Sequence, residues 1–189
     1  DAIAFLESRM NLDRSPRKLF SVLDVGVGSG AIACTIAAEV LDAAVEGTDT
    51  SVKALKVAEH NARRLQVMSR CKFHYGDLGA PIQSRTFDLV VANLPYVPTS
   101  EIAAAPDPVS FEPRAALDGG SDGLHVYRRF LESAGRLLRS GSLLLMEAAP
   151  PTIPGLYELA EVAFPHAQVE VARDYGQRDR YIRVQIPGG

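Results

Sequence analysis

The stretch that decides the fold is Ser21-Val22-Leu23-Asp24-Val25-Gly26-Val27-Gly28-Ser29-Gly30-Ala31. Its apolar first half predicts a buried β-strand over residues 21–26, and the alanine-rich segment that follows predicts a buried helix over residues 30–41. The glycines between them permit a tight turn and let the backbone approach a ligand closely, next to the N-terminus of a helix. We therefore expect a ligand site at the end of this first strand.

Strands and helices alternate along the rest of the chain. Further strands are predicted at residues 45–49, 71–75, 87–92, 143–147, 168–172 and 181–186, and further helices at residues 51–65, 123–139 and 156–163. The connection between the last two strands is too short for a parallel crossover. The sequence therefore predicts an α/β fold with a doubly wound, mainly parallel seven-stranded sheet and one antiparallel terminal strand.

Composition limits the class of protein. The 189 residues are 47% hydrophobic, enough for one buried core, and the net charge of −3 without a basic cluster disfavours nucleic acid as a partner. Cys34 and Cys71 lack metal or redox spacing, so we expect no metal and a reducing compartment. Neither a membrane span nor a signal peptide is evident, so the prediction is a cytoplasmic monomer without membrane contact.

The beginning of the chain is helical in pattern and lacks an initiator Met. We therefore expect a fragment of a longer protein, with residues 1–20 as a linker or helical lead-in and residues 21–189 as the functional domain.

A second informative stretch is Asp88-Leu89-Val90-Val91-Ala92-Asn93-Leu94-Pro95-Tyr96-Val97. Here an apolar strand ends in an amide side chain, a proline-stiffened turn and an aromatic ring. The Asn93 amide oxygen and a neighbouring carbonyl can accept both hydrogens of a planar NH2 group, while the Tyr96 ring stacks on it. The nitrogen lone pair then points at an electrophile. Taken alone, the stretch fits an ordinary Asn-x-Pro turn after a buried strand equally well.

Carboxylates follow the next two predicted strands. In open sheets of this kind, ligands bind outside the carboxyl ends of the strands. Asp49 comes about twenty residues after the glycines, where an acidic residue accepts from a ribose diol. Asp77 and Leu78 follow the third strand and are well placed to flank an adenine. These positions predict a nucleoside.

The glycine pattern also fits a loose dinucleotide fingerprint, Gly26-x-Gly28-x-x-Ala31. Asp24 argues against a dinucleotide because its carboxylate would repel a pyrophosphate, whereas it favours an ammonium or sulfonium group. The two sites together predict an adenosine-bearing cation whose methyl group is offered to an amine or amide nitrogen.

With these motifs the chain resembles the class I S-adenosylmethionine-dependent methyltransferases. More narrowly, it resembles the HemK-type protein-(glutamine-N5) methyltransferases, which modify the glutamine of the Gly-Gly-Gln loop in peptide-chain release factors. The narrower resemblance covers about residues 21–186. It rests on Phe111-Glu112-Pro113-Arg114-Ala115-Ala116-Leu117-Asp118-Gly119-Gly120-Ser121-Asp122-Gly123-Leu124 and on Arg173-Asp174-Tyr175-Gly176.

The resemblance implies a role for each motif residue. S-adenosylmethionine would be bound by Asp24, Gly26, Gly28, Gly30, Asp49, Thr50, Asp77, Leu78 and Asn93. The catalytic motif would be Asn93, Leu94, Pro95 and Tyr96, with the Asn93 side chain and the Leu94 carbonyl accepting from the substrate amide. The family's usual motif is Asn-Pro-Pro-Tyr, so Leu94 keeps the carbonyl but loses a fixed φ.

Three functions follow from the sequence. The favoured one is methylation of a release factor, although little of the family's N-terminal helical docking domain falls within this sequence, which leaves the substrate open. The second is N-methylation of an exocyclic amino group of an rRNA or DNA base, which would require a basic cleft around Asn93. The third is a non-catalytic nucleoside-binding module. Glu147, at the end of the fifth strand, is either structural or close to the substrate.

Overall fold

The structure is a computed structural model that describes residues 1–12, 19–102 and 113–189. The strands are β1 (Phe20–Val25), β2 (Ala43–Asp49), β3 (Cys71–Tyr75), β4 (Phe87–Ala92), β5 (Leu138–Glu147), β6 (Gln168–Arg173) and β7 (Asp179–Gln185). The helices are α1 (Ala2–Leu12), α2 (Ala31–Glu39), α3 (Val52–Arg64), α4 (Arg114–Leu117), α5 (His125–Ala134) and α6 (Ile153–Ala163). Phe111 and Glu112, the first two residues of the 111–124 stretch that carries the narrower resemblance, lie outside the described residues.

The described strands form one sheet in the order β3-β2-β1-β4-β5-β7-β6. The pairs from β3 through to β5 are parallel, and β7 is antiparallel to both β5 and β6. The predicted doubly wound α/β fold with one antiparallel strand is confirmed. Although β7 comes last in the chain, it lies between β5 and β6. Because the turn after β6 is short, β7 pairs antiparallel with β6.

Helices cover both faces of the sheet. Alternate strand residues point to opposite faces, so Val22 packs with α1, α2 and α3, whereas Leu23 packs with α5 and α6. Cys34 and Cys71 are buried free thiols in the first of these layers. Ser51 caps α3 as expected, since its Oγ accepts from the Ala54 N–H at 3.2 Å. No helix in the described part of the chain is both long and apolar enough to cross a membrane.

The boundary predicted between the helix at residues 123–139 and the strand at residues 143–147 is wrong. This helix ends at Ala134, a single 3-10 turn follows, and β5 begins at Leu138. The reason is Gly141, which precedes the predicted strand. It has a φ of +75° and lies inside β5, where the pairing with β4 shifts register. A glycine bulge can therefore continue a strand where the sequence pattern favoured a break.

Helix α1 packs directly on the sheet layer. Leu6 is completely buried, and α1 contacts α2 and β4. The guanidinium of Arg9 donates to the carbonyl of Gly141 at 2.9 Å. This contact connects α1 to the bulge in β5.

Candidate active site at the carboxyl ends of the central strands

The carboxyl ends of β1, β2 and β4 lie side by side. Val25, the last residue of β1, is in register with Thr48 of β2 and with Ala92 of β4. The backbone N–H groups of Gly26 and Val27 both donate to the Thr48 carbonyl at 2.9 Å. The glycine turn is therefore anchored on β2 and lies beside the residues that follow β4.

Each glycine of the turn has a positive φ, but the space around them differs. A Cβ on Gly26 (φ +74°) would lie 3.0 Å from Leu94 Cδ2 and 3.3 Å from the Asn93 carbonyl oxygen. At Gly30 it would lie 2.9 Å from the Ala58 Cβ, so this glycine permits close packing of α2 on α3. At Gly28 the nearest atom is 3.9 Å away. Gly26 thus brings the two motifs into contact, while a side chain at Gly28 would meet only the Gly26 carbonyl oxygen, at an ordinary van der Waals distance.

Asp49 holds the glycine turn to the start of α3. Its Oδ2 accepts from the Gly28 N–H at 2.9 Å, and its Oδ1 accepts from the Ser51 N–H at 2.7 Å. The residue is half-buried, and the adjoining Thr50 is exposed. The carboxylate keeps free lone pairs, since each oxygen can accept more than one hydrogen bond.

Asp24 lies beneath the glycine turn and is buried, with 1% of its surface exposed. Its Oδ2 accepts from the Ala33 N–H at 3.0 Å, at the N-terminus of α2. Burial raises the pKa of Asp24 to about 7, the Ala33 hydrogen bond lowers it, and the neighbouring charge of Asp49 raises it again. Two carboxylates close together in a poorly solvated place favour a cation.

Asp77 and Leu78 lie on the other side of the turn, at the end of β3. Asp77 forms an ion pair with Arg129 of α5, a partner that sequence reasoning missed. Leu78 has a φ of +49° and packs against the core cluster that contains α5. Helix α5 therefore holds this loop, and both residues of the pair remain about half exposed.

Asn93 is exposed at the end of β4, and its amide orientation follows from one hydrogen bond. Its Nδ2 donates to Oε2 of Glu147 at 3.0 Å. Rotating the amide by half a turn would place its oxygen against the carboxylate, so the hydrogen-bond network assigns Oδ1 to the opposite side. Asn93 therefore presents an acceptor, and Glu147, left open by the sequence, is its partner.

A tyrosine hydroxyl joins the ends of β4 and β5. Tyr127 of α5 is completely buried, and its hydroxyl lies 3.1 Å from the Ala92 carbonyl, 3.3 Å from the Leu94 nitrogen and within hydrogen-bond distance of the Glu147 carbonyl. Burial raises the pKa of Tyr127 far above its usual value, so the group stays protonated. Sequence reasoning placed Tyr127 among core residues. The missed signal was that a buried tyrosine hydroxyl needs partners.

The chain after Pro95 is braced by the segment that follows α4. Val97 donates to the Leu117 carbonyl at 2.9 Å, and its own carbonyl accepts from Gly119 at 2.8 Å. The Thr99 hydroxyl donates to Asp118 Oδ1 at 2.6 Å, which lowers the pKa of that carboxyl. Tyr96, at the start of this segment, is half-buried and packs against the core. Residues 97–99 and 117–119 are thus held together.

A cavity of about 580 Å³ opens on the β5 side of Asn93. Its wall contains Asn93, Glu147 and Leu145, and the β6–β7 hairpin contributes Arg180 and Tyr181. Gly26 lies against the backbone of Asn93. The amide side chain therefore lines this cavity at the point where the glycine turn meets the end of β4.

Comparisons with known proteins identify the family of this chain. A profile described as "Methyltransferase small domain" matches residues 5–106, more than half of the chain. The release factor glutamine methyltransferase of Moorella thermoacetica is 41% identical over 165 residues, which are 87% of this chain and 58% of that protein. The one of Geobacter sulfurreducens is 42% identical over 137 residues, which are 72% of this chain and 47% of that protein.

The chain thus spans about half the length of the relatives it matches. In fold it is similar to a methyltransferase from Pyrococcus furiosus, with a TM-score of 0.67, 15% identity and coverage of 97% of this chain and 83% of the other. These matches confirm the resemblance identified in the sequence. The chain belongs to the methyltransferase small domain family.

Proposed function

We propose that this chain transfers a methyl group from S-adenosylmethionine to the side-chain amide nitrogen of a glutamine in a protein, with a peptide-chain release factor as substrate. The observation that carries the proposal is the Asn93–Glu147 contact. It orients an amide oxygen as an acceptor next to the glycine turn. The names and identities of the sequence relatives support the same reaction and substrate.

The residues present fit the proposed cofactor. A Cβ at Gly28 would meet no atom closer than 3.9 Å, so the backbone there is not tightly packed, and Asp49 offers lone pairs to a ribose diol. Burial and the neighbouring Asp49 both raise the pKa of Asp24, and a bound cation would offset both effects. We assign six further residues to the same cofactor site: Gly26, Gly30, Thr50, Asp77, Leu78 and Asn93. When bound, S-adenosylmethionine supplies a methyl group on a positively charged sulfur.

The chain's own task is to orient a weak nucleophile. An amide nitrogen is weakly nucleophilic because its lone pair is delocalised into the carbonyl. In the proposed mechanism, Asn93 Oδ1 and the Leu94 carbonyl accept the two amide hydrogens, and Pro95 and Tyr96 shape the site around them. These bonds strengthen as positive charge develops on nitrogen. As the N–CH3 bond forms, the S–CH3 bond would break, S-adenosylhomocysteine would leave, and the nitrogen would lose one of its two amide protons to solvent. Positioning of this kind contributes roughly 7–11 kcal/mol, and preorganised dipoles add to it.

The charges around the cavity support a protein substrate over a nucleic-acid base. Two arginines line the cavity, but Arg173 pairs with Asp179 and Arg180 pairs with Asp174. Glu147 and Asp174 add negative charge to the same wall. A basic cleft, which base methylation would require, is not formed by these side chains. A release factor substrate would put the enzyme in the cytoplasm, where translation terminates.

The proposal is tested with an Asn93→Ala variant. Loss of the accepting oxygen is expected to lower kcat by about 100-fold or more. The Kd for S-adenosylmethionine, measured by calorimetry, should change much less, because the glycine turn, Asp24 and Asp49 still bind the cofactor. Gln168→Ala is the matched control, because Gln168 also donates its amide to a glutamate (Glu170, 2.6 Å) but lies on β6 outside the cavity. Unchanged turnover in Asn93→Ala rejects the assignment.

Substrate class is decided with labelled cofactor. The wild-type protein is incubated with a release factor and, separately, with total RNA. Label in the release factor, lost when its glutamine is replaced, supports the proposal, and label in RNA supports base methylation. If the protein does not bind S-adenosylmethionine, the remaining hypothesis is a non-catalytic module that retains the fold.

A further inference from the structure

We propose that Tyr127 is a positioning residue for the methyl transfer: its hydroxyl holds the backbone on both sides of Asn93 to the backbone of Glu147. This inference rests on the proposed function. Tyr127 does not touch the substrate in this scheme. It acts through Asn93 and the Leu94 carbonyl, whose places it sets.

The contacts that carry the proposal converge on one oxygen atom. The Tyr127 hydroxyl lies 3.1 Å from the carbonyl oxygen of Ala92, the residue before Asn93. It lies 3.3 Å from the nitrogen of Leu94, the residue after Asn93. It is also hydrogen-bonded to the carbonyl of Glu147, the residue whose side chain binds the Asn93 amide. One buried group therefore links three backbone positions around the Asn93–Glu147 pair.

The chemistry of a hydroxyl matches this arrangement. It has one proton to donate, which the Ala92 and Glu147 carbonyls share, and lone pairs to accept the Leu94 N–H. These hydrogen bonds are shielded from water, since Tyr127 is completely buried. Hydrogen bonds in such surroundings are costly to leave unmade, so the hydroxyl stabilises the arrangement of the three backbone groups.

Leu94 gives this link a special feature. A proline at position 94 would have no N–H to donate, and its ring would fix φ instead. Leu94 has a free φ, and its N–H donates to Tyr127. Its side chain is buried at 3% exposure and touches the Gly26 position. In this chain the hydroxyl therefore supplies a constraint on position 94 that a proline ring would otherwise supply covalently.

The test is the Tyr127→Phe variant, which keeps the ring in the core and removes the hydroxyl. The expected result is a fall in kcat of about 10- to 100-fold with an unchanged KM for S-adenosylmethionine, because the glycine turn and Asp49 are untouched. The matched control is Phe130→Leu, which loosens the packing of the same helix but leaves the hydroxyl in place. Phe130 is also completely buried.

The kinetic outcomes separate positioning from stability. If Phe130→Leu keeps its kcat while losing as much thermal stability as Tyr127→Phe, the positioning role is supported. If Tyr127→Phe retains wild-type kcat, or if both variants lose kcat in equal proportion, the role is overturned.

Hydrogen exchange supplies a measurement that needs no substrate. In the wild-type protein the Leu94 amide is expected to be protected like the amides of β4, and an unprotected Leu94 amide overturns the link without any variant. In Tyr127→Phe its exchange should accelerate about 3- to 10-fold relative to the amides of α2. Unchanged exchange also overturns the link. If the wild-type protein transfers no methyl group, the proposed function is refuted. Exchange at Leu94 would still decide whether the Tyr127 hydroxyl holds the backbone around Asn93.

Discussion

Replacing Asp24 by Asn should make the protein more stable at alkaline pH and at the same time a weaker cofactor binder. The Asp24 carboxyl is 1% exposed, and burial raises its pKa from 3.8 to about 7. Its Oδ2 accepts from the Ala33 N–H, and an amide oxygen at the same place can do so too. The substitution therefore removes a buried charge and keeps the hydrogen bond.

The effect on stability follows from proton binding. Between pH 3.8 and about 7 the folded carboxyl holds its proton while the unfolded one has lost it. The free energy of unfolding therefore falls as pH rises through this window, with the full contribution present below pH 3.8 and lost above about 7. At about 1.4 kcal/mol per pH unit, the window corresponds to about 4 kcal/mol. Because Asn does not ionise, Asp24→Asn should gain up to about 4 kcal/mol at about pH 8 and little at about pH 4.

Cofactor affinity should change in the opposite direction. A bound cation favours the ionised carboxylate, so only that fraction of the protein is competent for tight binding. For a pKa of about 7, the affinity of the wild-type protein for S-adenosylmethionine should rise about tenfold between about pH 6 and about pH 8. Asp24→Asn should bind more weakly and without this slope.

Two measurements check these expectations. Urea unfolding across the pH range gives the stability difference, and calorimetric titration gives the affinities. S-adenosylhomocysteine is the control ligand, since it lacks the sulfonium charge and should show a shallower slope. A variant that is less stable than the wild type at about pH 8, or a wild-type affinity that does not vary with pH, would refute the reasoning.

Two further substitutions probe the backbone of the glycine turn and the amino-terminal end of β4, opposite the candidate site. Gly26→Ala adds a Cβ at 3.0 Å from Leu94 Cδ2 and 3.3 Å from the Asn93 carbonyl oxygen at a φ of +74°. It should cost about 1–3 kcal/mol in urea unfolding and lower kcat as well, and full activity would show that the turn does not set the position of Asn93. Asp88 is 2% exposed and pairs with Arg139 at 3.2 Å, at the amino end of β4. Asp88→Ala also removes the acceptor of the Ser21 N–H and hydroxyl, so it should lose about 1–3 kcal/mol in urea unfolding with an unaltered kcat of the folded protein, and a lower kcat would contradict this separation.

Much of the site could be predicted from local sequence. Apolar runs that end in Gly26, Asp49 and Asn93 mark the ends of strands, and a parallel sheet brings the carboxyl ends of its strands to one edge. The glycine turn, the Ser51 cap and the Asn-x-Pro-Tyr turn depend on residues close to one another in the chain. For this reason the side of the sheet that carries the candidate site follows from the pattern, whereas the order of the strands is given by the structure.

Other features were decided only by tertiary structure. Asn93 and Glu147 are 54 positions apart, and no local pattern indicates which strand end will face which. Tyr127 has the sequence signature of any buried helical residue, and its role depends on where α5 packs across β4 and β5. The burial of Asp24, and with it the raised pKa, comes from α2 closing over the strand. Periodicity determines which residues are buried and where strands end, whereas the partners of a buried polar group depend on how distant elements pack together.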